Sequence, residues 1–184
     1  MEHKGTVVLK SNRLVLRRIV EDDALEIFNG FINQEEFLYY ANKKKRTLDE
    51  QINSLKNIDD KYLKLDYYNW IITLKDNGAI IGSINLRVEE INETVEFNYV
   101  IDNRYTKKGY MTEALCLVKD FCLNELLVNR FQGGCCVENI ASYPDYMVVG
   151  IGDLADTYYT YGPLMITGEI TSTNYAELLD KAIK

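Results

Sequence analysis

The chain has 184 residues, 47% hydrophobic and 27% charged, with a formal net charge of −7. That length suits one hydrophobic core, and 1–184 reads as a single domain. No apolar run nears the ~20 residues of a membrane span, the acidic balance argues against nucleic acid while tolerating a cationic amine, and one histidine, His3, without a Cys-x-x-Cys pair leaves no metal-site pattern.

The opening residues, Met1-Glu2-His3-Lys4-Gly5, lack the apolar core of a secretion signal, so a cytoplasmic location is expected. Arg13 to Ile19 alternates, with Leu14, Leu16 and Arg18 against Val15, Arg17 and Ile19, and predicts a strand. Glu21-Asp22-Asp23 supplies acids suited to the positive end of a helix. Ala24, Leu25, Ile27, Phe28, Phe31 and Ile32 form the apolar face of that helix. A second, short helix is predicted over Gln34 to Tyr40. Lys43-Lys44-Lys45-Arg46 reads as a solvated loop. Thr47-Leu48-Asp49-Glu50 is a capping box, with Ile52, Leu55 and Ile58 at helical spacing behind it.

Three strands are predicted next, over Tyr68 to Leu74, Ala79 to Val88 and Thr94 to Ile101. Asn77-Gly78 is a hairpin signal between the first two, and Glu90 to Glu93 makes the next turn. A long helix is predicted from about Tyr110 to Leu127, with Met111, Leu115, Val118 and Cys122 along one face. Phe131 to Val137 is a further strand. Strand, helices, three strands, helix, strand is an α+β pattern with a mostly antiparallel front half. Of the four cysteines, Cys116 and Cys122 fall in the helical pattern as small core hydrophobes. Cys135 and Cys136 are adjacent on a strand and face opposite sides. A cysteine nucleophile would need a base, and no internal histidine supplies one.

The segment richest in chemistry is Tyr99 to Thr112, where a strand ends, a basic loop follows and a helix begins. Backbone N–H groups at a helix start suit a pyrophosphate, Lys107 and Lys108 add positive charge, Gly109 permits close backbone approach, and Thr112 offers a hydroxyl. A charged loop with a glycine turn is the plainer reading of the same residues.

The order of elements, centred on N-Y-V-I-D-N-R-Y-T-K-K-G-Y-M-T-E-A-L, resembles the GNAT acetyltransferase superfamily. Within it, the match is closest to the branch that acetylates ribosomal-protein N-termini. Arg13-Leu14-Val15-Leu16-Arg17 looks like that branch's opening strand, and Val95-Glu96-Phe97-Asn98-Tyr99 like its fourth, with Asn98 where glycine is usual. Gly109-Tyr110-Met111-Thr112-Glu113-Ala114 is similar to its helix entrance. Asn129-Arg130 and Glu138-Asn139-Ile140-Ala141-Ser142 are similar to the end of that helix and the exit from strand five. Thr106 and Met111 depart from the usual phosphate loop, and Met111 brings bulk toward the pyrophosphate. After Ser142 the family pattern fades.

The resemblance implies an α+β fold with a mixed, mostly antiparallel central sheet flanked by helices, its fourth and fifth strands splayed to hold CoA. It implies acetyl-CoA as cosubstrate, no metal, and transfer to a primary amine on a peptide N-terminus or a polyamine- or aminoglycoside-like molecule. It is compatible with a homodimer and gives no role to nucleic acid or membrane. The main chain of Tyr99, Val100 and Ile101 would pair with the pantetheine arm. Lys107 to Thr112, including Tyr110 and Met111, would take the pyrophosphate, and Asn139 and Ser142 would contact the pantetheine. Glu96 is the candidate base and Tyr146, seven residues after Asn139, the candidate acid. Tyr39, Tyr40 and Trp70 either line the acceptor side or pack in the core. The alternative is a GNAT-fold CoA-binding module without catalysis, suggested by Met111 and the irregular tail.

Overall fold

The computed structural model describes residues 1–133, 149–150, 159–161 and 164–166. Seven strands form one sheet in chain order: β1 (Leu9–Lys10), β2 (Leu14–Arg18), β3 (Tyr68–Leu74), β4 (Ile80–Glu89), β5 (Thr94–Ile101), β6 (Arg130–Gln132) and β7 (Val149–Gly150). Neighbours are antiparallel except β5 and β6, which run parallel. A parallel pair needs a crossover, and α5 (Tyr110–Asn124) provides it. β8 (Tyr159–Tyr161) and β9 (Leu164–Ile166) form a separate hairpin. Among the described residues, no helix is long and apolar enough to cross a membrane.

Side-chain alternation in β2 to β5 divides the core into two layers. Leu14, Leu16, Trp70, Ile72, Ile84, Leu86, Val95 and Phe97 pack with Met111, Ala114, Val118 and Phe121 of α5. On the opposite face, Ile71, Ile80 and the half-buried Val100 pack with α1 (Ala24–Gly30), α3 (Leu48–Leu55) and α4 (Ile58–Tyr62). A short helix, α2 (Glu35–Tyr40), lies between α1 and α3 in sequence.

Local chemistry explains the helix starts. Asp23 accepts the Val20 N–H at 2.9 Å and both Arg17 guanidinium nitrogens at 2.8 Å, anchoring the start of α1 to β2. The expected capping box forms before α3: Thr47 Oγ1 accepts the Glu50 N–H at 3.2 Å, and Glu50 Oε2 accepts the Thr47 N–H at 2.8 Å.

Three sequence expectations change. Ile58 does not continue α3, because Asn57 is left-handed (φ 60°) and breaks the helix, its N–H held by Glu21 Oε1 at 2.9 Å. Leu25 is 55% exposed, on the flank of α1 away from the buried Ala24 and Ile27. The long helix stops at Asn124 rather than Leu127. The Leu126 N–H folds back onto the Phe121 carbonyl at 3.1 Å, and Leu127 turns left-handed (φ 55°). The predicted strand over Phe131 to Val137 is described as far as β6 and Gly133.

Candidate functional site

β5 pairs with β4 along its whole length, from Thr94 opposite Glu89 to Ile101 opposite Gly82. On its other edge it pairs with β6 only through Thr94–Arg130, Val95–Phe131 and Glu96–Gln132. Glu96–Gln132 is the last β5–β6 pair among the described residues. The expected splay between the two strands concerns the chain after Gly133, which lies outside the described residues.

Glu96 follows Val95 and precedes Phe97, both packed with α5, so its side chain projects to the opposite face. It is 39% exposed there, with Arg87 of β4 at 3.8 Å. Tyr99 and Ile101 are half-buried against the α5 layer, and Val100 against α1.

β5 leads into a braced loop. Asp102 is fully buried. Its carboxylate accepts the Arg104 N–H at 2.9 Å, the Arg104 guanidinium at 2.5–3.0 Å, and the Gln34 amide at 3.3 Å. Burial alone would raise the Asp102 pKa, but the Arg104 hydrogen bonds and charge, with Gln34, hold it below the usual value. Left-handed backbone at Lys107 (φ 58°) and Gly109 (φ 73°) brackets Lys108. Tight turning of this kind gathers successive N–H groups on one side. No side chain caps α5 at Gly109. Lys107, Lys108 and Thr112 are exposed around it, and Tyr110 is half-buried. The Lys108 ammonium donates to the Arg104 carbonyl at 2.9 Å, across the Tyr105 ring.

Arg13, just before β2, clamps this helix start. It donates to the Lys108 carbonyl at 3.1 Å and to Glu113 at 2.6 Å through Nε, and its guanidinium lies 4.5 Å over the Tyr110 ring. Burial would raise the Glu113 pKa, but hydrogen bonds from Ser11 and Arg13 and the Arg13 charge hold it below the usual value. Arg13, Gln34, Asp102 and Glu113 were not among the sequence-predicted site residues. Asp102, two residues before a basic side chain, carries an Asx-cap signal; the others act across 68 to 100 residues and leave no local mark.

Met111 does not crowd the loop as expected, because its side chain is 4% exposed and buried in the α5 core layer. Its N–H remains at the helix start. Trp70 is fully buried and donates to the Val7 carbonyl at 2.6 Å, so it belongs to the core and not to an acceptor surface. Tyr39 is 73% exposed. Lys43 to Arg46 is exposed, Lys43 lying over the Phe37 ring at 5.4 Å and Arg46 donating to Gln51 at 3.1 Å. Asn129 donates to Glu93 Oε2 at 2.8 Å beside the β5 turn, a structural contact. Cys122 is buried, and burial pushes its thiol pKa upward, away from the nucleophilic thiolate. Tyr146, Asn139, Ser142, Cys135 and Cys136 lie outside the described residues.

A phosphate-bearing ligand with an extended arm fits this arrangement. The uncapped, lysine-flanked start of α5 suits the anion, and β5 runs back from there to Glu96.

Residues 13–143 match the family described as the acetyltransferase (GNAT) domain. The chain is 25% identical over 136 residues to an uncharacterized N-acetyltransferase of Bacillus subtilis, YoaA, covering 73% of this chain and 77% of that one. In fold it is similar to the ribosomal-protein-S5-alanine acetyltransferase of Vibrio fischeri, with a TM-score of 0.63 and 18% identity over 76% of this chain and 79% of that one. It is likewise similar to the microcin C7 self-immunity acetyltransferase MccE in complex with acetyl-CoA and AMP, with a TM-score of 0.63 and 17% identity over 73% and 76%.

Proposed function

The chain belongs to the acetyltransferase (GNAT) family and is an N-acetyltransferase; from that premise we propose that it moves the acetyl group of acetyl-CoA to a primary amine by direct attack in a ternary complex. The observation that supports this reading is the start of α5 directly after β5, uncapped at Gly109, flanked by the exposed Lys107 and Lys108 and bracketed by left-handed backbone at Lys107 and Gly109.

Acetyl-CoA supplies the activated thioester. The N–H groups from Lys108 to Thr112 hold its pyrophosphate, with Lys107 adding charge. The main chain at Tyr99, Val100 and Ile101 pairs with the pantetheine arm, and one of its N–H groups donates to the thioester oxygen as charge develops there. Glu96 takes the proton from the attacking amine, directly or through water. The new C–N bond forms as the C–S bond breaks. Tyr146 returns a proton to the departing sulfur, and Asn139 and Ser142 steady the pantetheine. The acceptor is a peptide N-terminus or a polyamine- or aminoglycoside-like amine. The buried, protonated Cys122 agrees with a route without an acetyl-enzyme.

Calorimetry with acetyl-CoA, followed by thiol release across a panel of amines, tests the reading. Saturable binding with release that depends on an amine supports it. Binding without transfer to any amine overturns the catalytic reading, and absence of binding overturns the CoA site.

A further inference from the structure

The sheet register sets Asn69 of β3 opposite Asn85 of β4, and Asn85 opposite Asn98 of β5. Residues directly opposed project from the same face, so three carboxamides stand in one row across three strands. This is the Glu96 face, since Phe97 and Tyr99, which flank Asn98, pack with α5. Asn85 and Asn98 are exposed and Asn69 is half-buried. The Asn69 amide donates to the Tyr67 hydroxyl at 3.1 Å, closing the row at one end. At the other end, Asn98 lies two residues past Glu96 on β5, beyond the last described β5–β6 pair. The Arg87–Glu96 pair forms the adjacent row.

Strands disfavour asparagine. A solvated sheet face is served as well by threonine or lysine, so three asparagines in register run against local preference. Departures of this kind concentrate where function retains them. A carboxamide offers two donors and one acceptor and carries no charge. A row of them matches a neutral chain bearing its own amide groups, whereas a polycation calls for carboxylates. The row spans two inter-strand spacings, about 10 Å, the length of about three residues of extended peptide.

We propose that Asn69, Asn85 and Asn98 bind the first three or so residues of a peptide acceptor whose α-amine lies at Glu96. The inference rests on the acetyltransfer reading of the same site.

The test uses the full chain, saturating acetyl-CoA and three probes: trialanine amide, spermidine and hexylamine. The double variant Asn85→Ala/Asn98→Ala is expected to raise KM for trialanine amide about tenfold, the loss of two neutral hydrogen bonds. Its kcat, its acetyl-CoA affinity and its KM for hexylamine are expected to stay near wild type. Asn98→Asp, which keeps the shape and removes the donors, is expected to raise the same KM. An unchanged KM for trialanine amide, or an equal rise for hexylamine, overturns the row. Wild-type turnover of hexylamine or spermidine without trialanine amide overturns the row and leaves acetyl transfer standing. Turnover of none of the three, with no transfer to the wider amine panel either, overturns both.

Discussion

The Gln34 side chain ties the start of α2 to the loop after β5: its Nε2 donates to the buried Asp102 carboxylate at 3.3 Å, while its Oε1 accepts the Asn103 N–H at 3.2 Å. Through the Gly30 carbonyl, at 2.9 Å from the same Nε2, this contact reaches the end of α1. The helices on the Glu96 face and the phosphate loop therefore share one buried carboxylate as their junction.

Asp102→Asn is expected to lower stability by roughly 2 kcal/mol at neutral pH, the scale of a lost charged hydrogen-bond set. The folded Asp102 pKa lies below its unfolded value, which is about 3.9. Its contribution is then fully present above the unfolded pKa and disappears as pH falls through the lower folded one. Thermal melts of both proteins at pH 7 and near pH 2 check this. The gap in melting temperature is expected to be wide at the first and to close toward the second. An equal gap at both would refute the electrostatic account.

Gly109→Glu is expected to weaken acetyl-CoA binding by roughly tenfold or more, about 1.4 kcal/mol or above. The position is left-handed (φ 73°), so any other side chain is strained, and an acid adds negative charge where phosphate would sit. An added Cβ would point toward the Arg13 guanidinium, 3.6 Å away, so the new acid would also compete with Glu113 for Arg13. Calorimetry reads the affinity directly. Wild-type affinity in this variant would remove the loop from the CoA site.

Gly82→Ala is expected to damage both stability and acetyl-CoA affinity. A Cβ there would overlap the Val100 carbonyl oxygen and sit 3.1 Å from the Ile101 Cα. Overpacking of this kind costs about 1–3 kcal/mol, and its relief would push β5 away from β4 along the stretch proposed to hold the pantetheine. Thermal melting and acetyl-CoA titration measure the two effects. A variant with unchanged melting temperature and affinity would show that β5 tolerates displacement.

Glu96→Gln is expected to lower kcat on the order of 10²–10⁴-fold while acetyl-CoA affinity stays near wild type. Tyr146→Phe removes one hydroxyl and is expected to give a smaller loss, because a thiol leaves fairly well unprotonated. Both are measured with the best acceptor from the amine panel, so that amine binding does not mask the chemistry. Wild-type rates in both variants would discard these two roles and leave the fold untouched.

Much of the fold was legible from short stretches of chain. The strands over Tyr68–Leu74 and Thr94–Ile101, the capping box at Thr47 and Glu50, and the apolar face of α5 all reappear as predicted. Each depends on contacts within a few residues, where pleat, helical turn and cap chemistry set the answer. The loop from Lys107 to Gly109 was legible for the same reason. The clamp of Arg13 on Glu113, the Gln34–Asp102 junction and the asparagine row were not, since they join residues distant in sequence. The pairing of Asn69 with Asn85 and Asn98 follows from strand register. Register is decided by the burial of both sheet faces together, and slipping one residue would turn Phe97 and Val95 out of the core. What the sequence determined by itself was the kind of element and the chemistry of each loop. Which side chains meet across β3, β4 and β5 was decided by the packed sheet, because only packing sets one strand's position against the next.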